Sequence, residues 1–130
     1  MNSVIIHFKG PSYDEIESRA KGIEIIDGSC SIEEGGHFQF WRYEDYDTEY
    51  APEEKSIVEN LIGGKPTASF QLLCRTSYGR FALDKMIQLF SIVDGVMDDD
   101  NDGYWQLEQM KSAYLHSSTA NIYNLNEHTS

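Results

Sequence analysis

Thr67-Ala68-Ser69-Phe70-Gln71-Leu72-Leu73-Cys74-Arg75-Thr76 decides the fold. Ala68, Phe70, Leu72 and Cys74 fall on one side of a two-residue period, with Leu73 opposite. This alternation predicts a strand over 67–76 that buries one face. Directly after it the period changes. Ala82, Met86, Leu89, Phe90 and Val93 recur at helical spacing, with Leu83 and Ile87 widening the stripe. Ser77 is placed to cap that helix, which then runs to about Val93. Gly95-Val96-Met97 follows as a short strand. A strand, a helix and a strand in succession place a sheet at the centre of the molecule.

Working outward, Val4, Ile6 and Phe8 alternate with His7 and Lys9, which predicts a first strand over 3–9. Ser12 and Glu15 have the spacing of a capping box, so a helix is expected to about Lys21, stopped at Gly22. Residues 24–32 read as extended but broken or bent at Asp27-Gly28, and 29–33 with 37–43 as a hairpin across Glu34-Gly35-Gly36. Pro52 suits the first turn of a helix whose buried stripe is Ile57, Val58, Leu61 and Ile62, and Gly63-Gly64 ends it. Tyr104-Trp105 either pairs with 95–97 or opens a last helix, expected over 106–115 from Leu107, Met110 and Tyr114. The order predicts an α+β domain: an antiparallel or mixed sheet, helices packed mainly on one face, and a ferredoxin-like core with a C-terminal extension. One domain over 1–115 is expected, with 116–130 as a frayed polar tail.

The chain has 130 residues, 22 acids against 10 lysines and arginines, and a net charge of −12. That length supports one core and a folded surface of roughly 7,000 Å². The charge disfavours direct contact with nucleic acid or an anionic membrane, where the phosphate term would be repulsive. It favours capture of a cationic protein. The start, Met1 to Phe8, has no basic segment before its short apolar run, so no signal peptide is expected and the cytoplasm is the default location. Cys30 and Cys74 read as buried free thiols, with a disulfide between them as the alternative.

The acids are not spread evenly. Tyr43 to Glu54 holds Glu44, Asp45, Asp47, Glu49, Glu53 and Glu54 with Tyr43, Tyr46 and Tyr50, and no positive charge. Asp94 to Asp102 holds Asp94, Asp98, Asp99, Asp100 and Asp102, followed by Tyr104 and Trp105. Half of the carboxylates therefore occupy two short segments, at a cost in mutual repulsion. One reading is a docking surface: carboxylates steer a basic partner, and rings supply rigid contact area. The plainer reading is a solvated loop leading into a helix. The second segment also fits D-x-[DN]-x-[DN]-G, the opening of a calcium loop, with Asp98, Asp100 and Asp102 as ligands. The twelfth position of that loop is Gln109 where a bidentate glutamate belongs, so an acidic turn or a second docking patch competes with it.

Other chemistry is weaker. Gly63-Gly64-Lys65-Pro66-Thr67 lacks the glycine spacing of a phosphate loop and joins helix to strand, the reverse of the required order. His7, His37, His116 and His128 have no histidine partner at helical spacing. Cys74 beside Arg75 reads as a buried thiol in a strand. No catalytic motif and no cofactor motif is read, so the expectation is a binding protein and not an enzyme. In size, charge, tyrosine content and the Asp94–Trp105 segment the chain resembles the bacterial immunity proteins of polymorphic toxin and contact-dependent growth inhibition systems. The resemblance implies an inhibitor that covers the active site of a cognate basic toxin, often a nuclease. The alternative is a regulatory module for another basic partner.

Overall fold

The computed structural model describes residues 2–25, 38–101 and 103–128. The strand that decides the fold is β3 below, one place from the edge of a five-stranded antiparallel sheet. The strands are β1 (Asn2–Phe8), β2 (Phe38–Arg42), β3 (Ala68–Cys74), β4 (Gly95–Asp98) and β5 (Tyr104–Trp105), in the order β2-β3-β1-β4-β5. The helices are α1 (Tyr13–Gly22), a single turn α2 (Tyr46–Glu49), α3 (Pro52–Ile62), α4 (Gly79–Ile92) and α5 (Leu107–His116). The fold class is α+β. The expected hairpin strand 29–33 and Cys30 lie outside the described residues.

Register explains the core. Ile6 pairs with Phe70 on one side and Met97 on the other, and Val4 with Leu72. Cross-strand partners share a face, so these side chains form one apolar surface. Ile16 and Ala20 of α1, Ala82, Leu83, Met86, Leu89 and Phe90 of α4, and Met110 and Ala113 of α5 close it. Phe70 sits at its centre, stacked on Phe40 at 4.8 Å and met edge-on by Tyr13 at 5.3 Å.

The segment 43–67 makes the β2–β3 connection. In place of a hairpin it carries α2 and α3 onto the opposite face of the sheet. That face needs cover because β1 is central and is buried on both sides: His7 pairs in register with Ser69 and Val96, and all three are buried. Tyr46, Tyr50 and Val58 supply the cover, with Ile5, Tyr43, Ile62 and Tyr104 around them. Most helical residues still lie on the first face.

Several boundaries follow the sequence. Ser12 accepts a hydrogen bond from the Glu15 backbone N–H at 3.2 Å, and Gly63 ends α3 in the left-handed region at φ 86°. Tyr104-Trp105 pairs with β4, Trp105 opposite Met97. Several expectations need correction. Of the stripe expected to be buried on α3, Ile57 and Leu61 are exposed and Val58 is the fully buried member. Glu24 and Ile25, expected to be extended, form a turn that closes α1, with the Ile25 N–H on the Ala20 carbonyl at 2.9 Å. The helix expected from Ser77 begins with a 3₁₀ turn at Thr76–Tyr78 and becomes α-helical at Gly79. The tail expected to fray from residue 116 is packed through residue 128. Ala120, Ile122 and Leu125 are fully buried against the first face. Arg80 clamps the tail by donating to the carbonyls of Tyr114, Ser117 and Ala120 while its guanidinium stacks 4.0 Å from the Tyr114 ring centroid.

Candidate docking surface

The acidic run 43–54 divides by residue type. Its tyrosines turn inward. Tyr46 and Tyr50 are buried, with ring centroids 4.9 Å apart, and each meets the His7 imidazole edge-on at 5.3 and 5.1 Å. Spacing of four residues puts both rings on one side of the α2 turn. Tyr43 is half-buried and donates to Glu49 Oε1 at 3.0 Å, while Tyr46 donates to Glu59 Oε2 at 2.9 Å. Burial, then these carboxylate bonds, raise both phenols above their ordinary range. The expectation that Tyr46 and Tyr50 present contact area to a partner is therefore corrected: they form the core of the second face. The carboxylates turn outward. Glu44, Asp45 and Glu53 are exposed and make no ion pair among the described residues. Asp47 is exposed and paired with Lys65 at 2.8 Å, which lowers its pKa. Glu54 accepts from the Ala51 N–H at 2.9 Å, at the start of α3.

The second acidic run divides differently. Asp98 and Asp99, also expected at the surface, are buried. Asp99 Oδ1 accepts the N–H groups of Asn101 and Gly103 at 2.8 and 2.9 Å, and its Oδ2 accepts the Trp105 indole N–H at 2.8 Å. The carboxylate thus shapes the β4–β5 turn, and Trp105 packs inward with it. A Cβ at Gly103 would overlap both groups, so the turn requires glycine there. Asp98 Oδ1 accepts the Asp100 N–H at 2.9 Å, and its Oδ2 accepts the Tyr50 hydroxyl. With these oxygens committed to protein donors, Asp98 is not a free first ligand of a calcium loop. No group of histidine, cysteine, aspartate and glutamate side chains among the described residues is arranged to hold a metal ion. Asp102 lies outside the described residues. Asp94 and Asp100 are exposed, and Tyr104 is half-buried.

Ser69, His7, Tyr50 and Asp98 form a continuous buried chain. Ser69 Oγ lies 2.7 Å from His7 Nδ1, and His7 Nε2 lies 2.9 Å from the Tyr50 hydroxyl. The donors can be ordered. An ionised Asp98 only accepts, so Tyr50 donates to it. The Tyr50 oxygen then accepts from His7 Nε2–H, and His7 Nδ1 accepts from the Ser69 hydroxyl. One tautomer of a neutral imidazole satisfies every link. Burial lowers the His7 pKa to about 4 and keeps the ring neutral. Burial also raises the Asp98 pKa, opposed by the bonds from Tyr50 and the Asp100 N–H. Ser69 and His7 resemble a hydroxyl and its base, but both are closed to solvent, at 2% and 0% exposure. The chain fastens α2 to the sheet.

What opens to solvent is a pocket of about 310 Å³ over the Asp98 end of this chain. Glu49 and Glu54 line it from the first acidic run, Asp98 and Asp100 from the second. Tyr43, Tyr50 and Gln71 add polar groups, Ile5 an apolar floor, and no lysine or arginine among the described residues lines it. The fold thus joins the two runs, which the sequence shows only as separate segments. The reading of the sequence missed His7, Ser69 and Gln71. The signal was present in Val4-Ile5-Ile6-His7-Phe8, a run too apolar for a strand with one wet face. Lys85 and Arg80 are drawn to carbonyl groups, not to acids, so they do not offset these charges. Cys74 is a buried free thiol 3.1 Å from the Tyr123 hydroxyl, and burial raises its pKa. No helix among the described residues is long and apolar enough to cross a membrane. Comparison of the chain with protein-family models, with curated proteins and with solved structures finds no match.

Proposed function

We propose that this protein is an immunity-type inhibitor that binds and neutralises a cognate toxin domain with a basic surface, most simply a nuclease in the cytoplasm. One observation carries the reading: carboxylates from two distant segments converge on a solvent-open pocket that no lysine or arginine among the described residues lines. Next in sequence to its lining residues or one place on, Glu44, Asp45 and Glu53 stand exposed without ion pairs among the described residues. Clustered anions weaken a fold by self-repulsion and speed the capture of a cationic partner. A nuclease must present cations to phosphate, and an acidic surface complements them. A standard interface takes about 800 Å² per partner, roughly an eighth of the 6843 Å² surface, so this region and its margins suffice. The reading assigns the protein a binding role and no reaction of its own. A regulatory module for a different basic protein would use the same surface.

The test is a search of the reading frames beside this gene for a toxin-like domain, co-expression with any that is found, and measured association. The inhibitor reading expects rescue of growth and an on-rate that falls at least about tenfold between low and high salt. The combined change Glu49→Gln, Glu54→Gln and Asp100→Asn should slow association in the same direction. Rescue with an on-rate indifferent to salt and to these changes would place the contact on another surface. Absence of any toxic neighbour leaves the regulatory module as the better reading.

A further inference from the structure

A groove of about 630 Å³ lies at the far end of α3 from the acidic pocket. Leu61 and Ile62 of α3, Phe90 of α4 and Leu107 of α5 give it an apolar lining. Leu61 is 37% exposed, and Ile57, one turn earlier on the same helix, is 42% exposed. A stripe of exposed aliphatic carbon thus runs along α3 into the groove. Asp94 and Glu108 line the groove as well, and both are exposed. Lys9 is the one cation among the described residues of the lining, and its ammonium is held by the Gly63 carbonyl at 2.8 Å. The Gln106 side-chain amide is likewise committed, to the Leu61 carbonyl at 3.0 Å.

Position selects the occupant. Glu53 and Leu61 lie on one continuous helix, so they are about 12 Å apart along its axis. An interface of about 800 Å² is about 30 Å across and covers both. We propose that the groove anchors leucine-like side chains of a basic amphipathic helix on the partner protein, while the lysines or arginines of that helix face Asp94, Glu108 and the acidic end of α3. This inference rests on the basic partner proposed above and adds its apolar anchor. Interfaces concentrate affinity where an apolar anchor fills a pocket, and peripheral charge sets rate and specificity. The net charge of −12 makes a cationic helix the complementary occupant.

The probes are three synthetic helical peptides of about 14 residues: one of lysine and leucine with leucines on a single face, a twin with alanine replacing leucine, and a twin with glutamate replacing lysine. The leucine–lysine peptide should bind at least about tenfold tighter than its alanine twin. Leu61→Asn, at a half-exposed helix position, should erase that advantage without changing the affinity for the alanine twin. In the unmodified protein the methyl signals of Ile62 and Leu107 should shift on adding the leucine peptide, a readout independent of any variant. Equal binding of the leucine and alanine peptides, or unmoved methyl signals, overturns the groove and leaves the acidic docking surface standing. Equal binding of the lysine and glutamate peptides overturns the cationic occupant together with the charge reading it rests on.

Discussion

On one face of the sheet, Val4, Ile6, Phe8, Phe70 and Leu72 meet three helices through carbon alone. On the other, His7, Ser69 and Asp98 meet Tyr46 and Tyr50 through rings and a chain of hydrogen bonds. The difference is one of tolerance. Apolar contact is non-directional and collapses partly around a lost atom. A buried polar chain has no such latitude, since each member is satisfied only by the next. The second face therefore tolerates less change, and it holds the Asp98 carboxylate at the base of the solvent-open pocket. Three changes break or sharpen this contrast.

The largest expected effect is on the carbon face. Phe70→Ala removes a fully buried ring that touches Phe40 and Tyr13. Such truncations cost about 3–5 kcal/mol, and urea unfolding should show the loss. A cost under about 1 kcal/mol would mean that the first face is not the main source of stability.

Next comes pH, which acts on the second face. His7 titrates near 6.5 when unfolded and at about 4 when folded. Above 6.5 both states hold it neutral, so its contribution is complete there. As pH falls from 6.5 to 4 the unfolded state binds the proton first and stability declines, and below 4 the decline from this group stops. A shift of this size corresponds to at most about 3 kcal/mol. Asp98 works the other way. Its raised folded pKa lets the native state take a proton first as the pH drops toward 3.8, which returns part of the loss. Urea midpoints over pH 4–7 should fall toward acid in the native protein and run flatter in His7→Gln. Parallel profiles would show that His7 is not held neutral by burial. Smaller again is Tyr50→Phe, which strips one partner from both His7 and Asp98 and should cost about 1–3 kcal/mol. Adding Asp98→Asn removes the stranded charge, so the double variant should be more stable than the sum of the single losses. Strict additivity would dissolve the proposed chain into independent contacts.

The carbon face was legible because periodicity reports it directly. Alternation in β1 and β3 and the stripe of α4 name the buried residues, and Pro52 and Gly63 mark the two ends of α3. The second face was hidden by composition. In Tyr43 to Glu54 the density of acid reads as solvent, while Tyr46 and Tyr50 sit four apart on a helical turn and bury together. Asp98 and Asp99 were misread for the same reason, since charge usually means exposure unless a fixed donor waits for it. Of those donors, the Tyr50 hydroxyl comes from a distant part of the chain, and the Trp105 indole reaches Asp99 only across the β4–β5 turn. The tail was missed because Ala120, Ile122 and Leu125 are too few and too irregular to form a period, and the contacts that hold them lie on α4 and α5.

The smallest effect on stability is the most informative about function. Glu44→Gln, Asp45→Asn and Glu53→Gln alter exposed carboxylates that make no ion pair among the described residues. If these charges served the fold, neutralising them would lower the melting temperature. If they serve a partner, their mutual repulsion is a standing cost to the compact state, and removing it should leave the melting temperature unchanged or raise it slightly. The same triple variant should slow association with a basic partner and flatten the salt dependence of that rate. A protein that becomes no less stable and binds more slowly separates the charge from the architecture beneath it. A clear drop in melting temperature with an unchanged on-rate would assign these three carboxylates to the fold and leave the inhibitor reading resting on the pocket carboxylates Glu49, Glu54 and Asp100 alone.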